Sequence, residues 1–587
     1  MTPTPRHIPI VILGAGPTGL VLANLLGTYG VPAMVLDRNP STVDEPRAVS
    51  IDDESLRTLQ TAGLVDEALT QIVQGYGVHY FSWSGKPFAK VEPTSREYGY
   101  TKRNAFRQAV LCAQLRDGLQ RFGHIDVRFR HEVTSFSQTA DGVRLEVDAE
   151  GTPTVITCDW LIGCDGGRSA TRERLGIALT GNTFAEKWLI VDLLDRPDPF
   201  RHTRTYCDPA RPAIRLPGPD GTVRYEFMLK GDETAEYVLD DARLRSWIAH
   251  REPRDAHLTI ARKVVYTFHS RIAERWREGR VLLAGDAAHL TPPFAGQGMN
   301  SGVRDATNLA WKLAAVVRGG ADASLLDTYA SERKPHAWAL IKMAMLIGKY
   351  MQPKSVMGAM AAQFALKAIS LYPPARDYVL QLKFKPKPRF LEGFFVPDGA
   401  IDAPIRSGQL MAQPQVELPG GRRILLDDWL GAGFACVNWH NETAPVSWPS
   451  LGGLPCRTVR LVRQDEDFPL RIRDGDAVAR DCDGVLAGIL RRAQARAMVL
   501  RPDRYVMAFI ADDDGPSHPS TVTAVGALYQ RYGITTDPLP GVAGRSDAVV
   551  EFGNDSPQTA GRRIEAHEPF IATGPGTARA VITGEHA

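Results

Sequence analysis

The chain has 587 residues, 44% of them hydrophobic, which is enough for several cores of ordinary domain size and predicts two to four domains. Its 69 basic and 67 acidic residues leave a net charge of +2 with no long block of one sign, which argues against a nucleic-acid partner. The seven cysteines, at 112, 158, 164, 207, 436, 456 and 482, form no CxxC and no metal-ligand spacing, so they read as reduced, buried thiols of a cytoplasmic protein and no metal is expected.

Ile8 to Leu13 form a short apolar strand, and Gly14-Ala15-Gly16-Pro17-Thr18-Gly19 turns into a helix ending near Gly30. This is the GxGxxG pattern: Gly14 permits the tight turn, Gly16 lets backbone amides approach a pyrophosphate, and Gly19 lets helix pack closely on strand. Asp37 ends the next strand, Ala33 to Leu36, where a carboxylate can hold a ribose hydroxyl pair. The uncharged stretch from Ile8 to Leu36 could also be read as a signal anchor, but prolines, glycines and Asn24 interrupt it, so a membrane role is not expected.

A second strand-turn-helix unit follows at Leu161 to Cys164, Asp165-Gly166-Gly167-Arg168-Ser169 and Arg172; alone, Asp-Gly is ordinary turn chemistry. From about Gly181 to Trp276 the chain carries strand-like runs at Trp188 to Leu193, Val223 to Leu229 and Lys263 to Phe268, read as an inserted sheet over the nucleotide site.

The third unit is the most informative. Val281 to Ala284 lead into Gly285-Asp286-Ala287-Ala288-His289, then Pro292-Pro293, then Gly296-Gln297-Gly298-Met299-Asn300, and a helix is predicted from about Ser301 to Val317 with Asn300 or Ser301 as its cap. Its amino end points out of the loop and makes a pocket suited to a polyol and an anion.

Ala337 to Tyr350 and Ser355 to Leu371 are predicted as helices, the uncharged part of the second being too short to span a bilayer and read as core or dimer-facing. Pro373-Pro374 and the Lys-Pro run to Pro388 lead to strand-like Arg422 to Leu426, Ala432 to Trp439, Arg460 to Val462 and Met498 to Leu500. Beyond about Ala511 the chain is rich in Gly, Pro, Asp and Ser and reads as a flexible tail; its Gly574-Pro575-Gly576 has no leading strand and is no second nucleotide motif.

The three motifs together resemble the flavin-dependent aromatic hydroxylases with the p-hydroxybenzoate hydroxylase fold, strongly over about 1 to 345. Pro46-Arg47-Ala48, Ile51-Asp52-Asp53-Glu54, Arg103-Asn104-Ala105-Phe106, Cys207-Asp208-Pro209 and Arg501-Pro502-Asp503-Arg504-Tyr505 are similar, more closely, to the 3-(3-hydroxyphenyl)propionate hydroxylases. The resemblance implies an α/β fold with α+β elements: a Rossmann-like FAD-binding domain in two parts (1–180 and 279–345), an inserted substrate-binding sheet (181–278), a helical connector (346–388), a thioredoxin-like domain without CxxC (389–510) and the tail (511–587).

It implies FAD contacts at Gly14, Gly16, Gly19, Asp37, Arg47, Gln108, Asp165, Gly166, Gly285 and Asp286, with Gly298, Met299 and Asn300 aimed at the anionic reduced ring. It also implies the chemistry: NADH or NADPH reduces FAD, the reduced flavin takes up O2 as a C4a-hydroperoxide, and an oxygen atom passes to a phenol next to its hydroxyl, in a small phenolic acid or in a larger polyketide-like phenol. A non-enzymatic FAD-binding module is the reading from another class, and a homodimer is common among relatives. Tyr266, His269 and His289 are the candidates for activating the phenol, and Arg215 and Arg224 for holding a substrate carboxylate, with Arg211 near them.

Overall fold

The computed structural model describes residues 6–43, 47–197, 200–231, 233–398, 405–439, 450–468, 477–511 and 521–535. Pro46 and the predicted tail from 536, with Gly574-Pro575-Gly576, lie outside the described residues. Among those residues no helix is long and apolar enough to cross a membrane.

The nucleotide-binding layer is built on parallel strands. Arg6–Leu13 lies between Ala33–Asp37 and Thr152–Gly163, with Ile125–Phe129 beyond the first and Val281–Leu283 beyond the second. Their run of Val, Ile and Leu is buried on both faces, as a parallel sheet between helices requires. Helix Pro17–Thr28 packs on the long helix Gly298–Val317, so the amino ends of two helices from distant parts of the chain come together.

Above this layer lies an eight-stranded sheet in the order His289–Leu290, Thr259–Ala273, Leu179–Leu194, Val223–Met228, Ala213–Pro217, Thr203–Cys207, Val78–Ser82, Pro87–Val91. The inserted segment therefore supplies most of this roof, but its last two strands come from residues before 100, within the segment 1–180 expected to bind the nucleotide.

The C-terminal part is a separate seven-stranded mixed sheet with its own core around Met411, Val437, Leu461 and Met498. Strand Val506–Ala511 ends it, and helix Thr521–Arg531 packs back with Val525 buried, so ordered chain extends past the expected boundary at 510. The connector differs too. Its first helix begins at Asp327, ten residues earlier than predicted, because Pro335 is accommodated inside it rather than marking its start. The next helix, Val356–Ser370, leaves Met357, Met360 and Phe364 exposed, so it is no core helix of this chain.

Candidate functional site

A cavity of about 310 Å³ lies where the two helix amino ends meet the roof, within the size range of small-molecule pockets. Its nucleotide side is built by Gly16, Pro17 and Thr18, by Arg47 to Ser50, by Gln108 and Gly166, and by Asp286 with the loop from Pro293 to Met299.

The local sequence explains this shape. Gly14 has φ +106°, and a Cβ there would stand 2.5 Å from the Cys164 carbonyl oxygen. A Cβ on Gly19 would collide with the Gly14 carbonyl oxygen. Either side chain would thus push the first turn off the neighbouring strand. Helix Pro17–Thr28 starts at Gly16 with no side-chain cap and with proline in its first turn, which leaves amide hydrogens turned toward the cavity.

Helix Gly298–Val317 likewise starts at Gln297 with no side-chain cap. Asn300 and Ser301 fall inside its first turn, correcting the predicted cap. Asn300 is buried and serves as a tie: its Nδ2 donates to the Ser50 and Gly296 carbonyls, and its Oδ1 accepts from Asp52 N and Ser55 Oγ. The loop that would face a bound ring is thereby fixed to the Arg47 segment.

The other predicted cofactor residues divide into wall and support. Gly16, Arg47, Gln108, Gly166, Asp286, Gly298 and Met299 line the cavity. Gln108 Oε1 accepts from Ala48 N at 2.7 Å and so holds the arginine segment in place. Asp37 stands behind the wall, with its carboxylate accepting from Ala15 N at 2.7 Å and Asn39 N at 2.8 Å. Asp165 accepts from Ser169 Oγ, Thr171 N and Thr171 Oγ1, which ties down the short helix Ala170–Arg174. Gly285 is buried, and its N donates to Asp305.

Asp286 is the acidic group of this wall. The surrounding protein raises its carboxyl pKa by desolvation, partly offset by His289 and Arg47, while the side chain stays accessible from the cavity. No described residue hydrogen-bonds to its carboxylate, which leaves it open to a ligand.

On the roof, Val78, Tyr80, Ile214 and Leu216 make an apolar ceiling, backed by Trp188, Phe268 and Phe294 packed at ring distances of 5.7–6.1 Å. Thr203, Thr205 and Glu226 add the polar groups, and Tyr76 with Arg103 closes one end. Arg103 is half-buried, its guanidinium 5.0 Å above the Tyr76 ring, and its Nε has no hydrogen-bond partner. Among the described residues no carboxylate pairs with it.

The predicted catalytic and substrate residues are placed elsewhere. His289 is fully buried: Nε2 meets Asp305 Oδ2 at 2.6 Å, and the ring packs on Trp276. Asp305 also pairs with Arg333 at 3.0 Å, so this histidine locks the Asp286 turn to the long helix and touches no cavity. His269 bonds Thr183 Oγ1 on the next roof strand, and burial, then Arg271, lowers its pKa. Tyr266 accepts a hydrogen bond from Arg262 at 2.7 Å and does not line the cavity.

Strand alternation explains Arg215. Its neighbours Ile214 and Leu216 face the cavity, so Arg215 points to the opposite face, where it pairs with Asp255 at 2.6 Å beneath Phe200. Arg224 is held by Asp192 at 2.6 and 3.1 Å and by the Arg47 carbonyl, which occupies its donors. Arg211 is committed to Glu233.

In the sequence Arg103 stands out only as part of the Arg103-Asn104-Ala105-Phe106 motif, and Tyr76 carries no local signal of a site. The signal for Glu226 is present: in Val223–Met228, Arg224 and Glu226 recur with period two, which puts Glu226 on the same face as the candidate cation Arg224.

The FAD binding domain family model matches residues 7–344, and the HcaD C-terminal domain model matches 408–524. The chain is 39% identical over 508 residues to a 3-(3-hydroxy-phenyl)propionate/3-hydroxycinnamic acid hydroxylase of Mycobacterium sp. (strain KMS), covering 85% of this chain and 87% of that one. It is 35% identical over 582 residues to the protein of the same name from Mycobacterium avium (strain 104), covering 95% and 98%. Among solved structures it is similar to the flavin-dependent monooxygenase PieE in complex with FAD and substrate, with TM-score 0.71, 23% identity, and coverage of 90% of this chain and 100% of that one.

Proposed function

The chain belongs to the FAD binding domain family, among its flavin-dependent aromatic hydroxylases, and on that premise we propose that it uses NADH or NADPH and O2 to add a hydroxyl next to that of a small phenolic acid, with a 3-(3-hydroxyphenyl)propionate-like compound as substrate.

The cavity fits FAD. Two uncapped helix amino ends, Arg47 and the open Asp286 carboxylate offer donors for a diphosphate and an acceptor for a polyol side by side. When bound, the flavin supplies the electrons and the activated oxygen for hydroxylation. The chain's own part is to hold the phenol beneath the apolar roof, to keep water out, and to orient the ring. Gly298 and Met299 offer first-turn amides to negative charge on the bound ring.

The acidic substrate rests on one observation: Arg103 is a cavity cation with no carboxylate partner among the described residues. A half-buried guanidinium facing a largely apolar chamber favours a ligand that brings its own anion.

With FAD-loaded protein, 3-(3-hydroxyphenyl)propionate is expected to stimulate NAD(P)H oxidation and give a dihydroxylated product far better than 3-ethylphenol, which lacks the carboxylate. Arg103→Met should raise KM for the acid roughly 10- to 100-fold, as loss of charge-assisted bonds worth about 1.5–3 kcal/mol predicts, and barely change that of 3-ethylphenol. Equal effects on both phenols would remove the carboxylate anchor, and a wild-type preference for a bulky neutral phenol would replace the small-acid reading with the larger-substrate one.

A further inference from the structure

Glu226 is the carboxyl the roof turns into the cavity, and neither the flavin contacts nor the carboxylate anchor gives it a task. It is buried at 5% exposure and lines the cavity, and its carboxyl has no hydrogen bond to a described residue. Its neighbour Arg224 does not neutralise it by contact, because the guanidinium is engaged by Asp192 and by the Arg47 carbonyl.

The position matters as much as the group. The strand of Glu226 is separated from Val78–Ser82 by Ala213–Pro217 and Thr203–Cys207. Three strand spacings amount to about 14 Å. Tyr80 of that strand is in register with Glu226, Ile214 lies between them, and Tyr76 with Arg103 lines the cavity just before the strand begins. A phenol ring bearing a three-carbon acid spans roughly 8 Å between its polar ends, counting bonds of about 1.5 Å. Two hydrogen bonds of about 2.8 Å extend that to roughly 14 Å. The cavity thus carries a cation on the side of Val78–Ser82 and a carboxyl three strands away, the two kinds of partner that the carboxylate and the hydroxyl of a hydroxyphenyl acid require.

We propose that Glu226 receives the phenolic proton of the substrate, in a pose that lays the substrate carboxylate on Arg103. The inference rests on the small-acid hydroxylase reading above. In the step, the phenol O–H bond breaks and an O–H bond forms on the Glu226 carboxylate. The electron pair left on oxygen enriches the neighbouring ring carbon, which bonds to one oxygen atom of O2 as the O–O bond breaks; two electrons from NAD(P)H and two protons carry the other oxygen atom away as water. That carbon then loses its hydrogen as a proton, and the ring is aromatic again.

The surroundings suit a proton acceptor near neutral pH. Burial pushes the Glu226 carboxyl up to about 7, Arg224 pulls it down, and Asp192 pushes it up. The other charged groups on the cavity wall are Arg47, Asp286, Arg103 and Lys385, and Lys385 is already paired with Asp52 and Glu54. Below that pH the carboxyl is protonated and cannot accept; above it, it can.

The test uses FAD-loaded Glu226→Gln and Glu226→Asp with wild type as reference. In Glu226→Gln, hydroxylation of 3-(3-hydroxyphenyl)propionate should fall about 100-fold, NAD(P)H-driven flavin reduction should stay within about twofold, and the rise of activity with pH through neutrality should vanish. Glu226→Asp should keep activity and move the pH limb. Wild-type hydroxylation and an unmoved limb in both variants would overturn the proposal; if Glu226→Gln does not hold FAD, an unmoved limb in Glu226→Asp overturns it alone. Should wild type reject this acid but hydroxylate another phenol, the substrate reading falls, and the same two variants assayed on that phenol decide the role of Glu226.

Discussion

Asp286→Ala is expected to give a folded protein that purifies largely without flavin, with FAD affinity reduced by roughly two to four powers of ten. The estimate takes two charge-assisted hydrogen bonds from the carboxylate to a polyol at about 1.5–3 kcal/mol each. The fold should survive, because Asp286 carries none of the hydrogen bonds of its own turn. The turn is held instead by Gly285 N on Asp305, by His289 on Asp305, and by Arg172 on the Ala287 carbonyl. The measurement is the ratio of flavin to protein absorbance after purification, followed by titration of the stripped variant with FAD. A variant with wild-type flavin content would remove Asp286 from the cofactor's contacts. His289→Ala should behave differently, as it unlocks Asp305 and Arg333 and lowers stability together with flavin content.

Glu332→Ala is expected to cost more stability than any other single change considered. Glu332 is fully buried and receives Arg501 at 2.7 and 2.9 Å, Lys312 at 2.7 Å and Asn308 at 2.6 Å, while Asp503 holds the other side of Arg501. This cluster joins the nucleotide-binding helices to the C-terminal sheet. Removing its central anion leaves a guanidinium and an ammonium buried with too little charge to balance them. Breaking a buried pair in this way costs about 3–5 kcal/mol, which lowers the midpoint of thermal unfolding by several degrees.

The cluster also fixes the sign of a pH effect. Although burial works against the charged form, Arg501 and then Lys312 hold the Glu332 carboxyl down at about 2. A depressed carboxylate contributes stability above its unfolded pKa of about 4.3 and loses it as pH falls toward about 2. Wild type should therefore lose thermal stability on acidification through that window, and Glu332→Gln should lose less. Equal acid sensitivity in both would show that other carboxylates dominate.

The legible part of the site was the part written in consecutive residues. Gly14, Gly16 and Gly19, the Asp165-Gly166 turn and the Asp286 turn each combine a strand end, a tight turn and a helix start within a short stretch, and steric demands on so few residues leave a pattern in the letters. The candidate catalytic groups were illegible for the opposite reason. His289 sits beside Asp286 in sequence, yet its partner Asp305 lies a helix away, and that ion pair turns the ring inward. Tyr266 lies on a roof strand but outside the cavity wall, where Arg262 engages its hydroxyl.

The sequence by itself determined the cofactor class, the parallel nucleotide-binding layer and the presence of an inserted sheet, because backbone geometry at glycine turns and apolar runs is set locally. Tertiary structure alone decided which side chains line the cavity. Two roof strands come from before residue 100, period-two alternation sends Arg215 out and Glu226 in, and Arg103 acquires its place beside Tyr76 only when that edge closes the cavity. Facing is a property of paired strands, and a strand's partners are not written in its own residues.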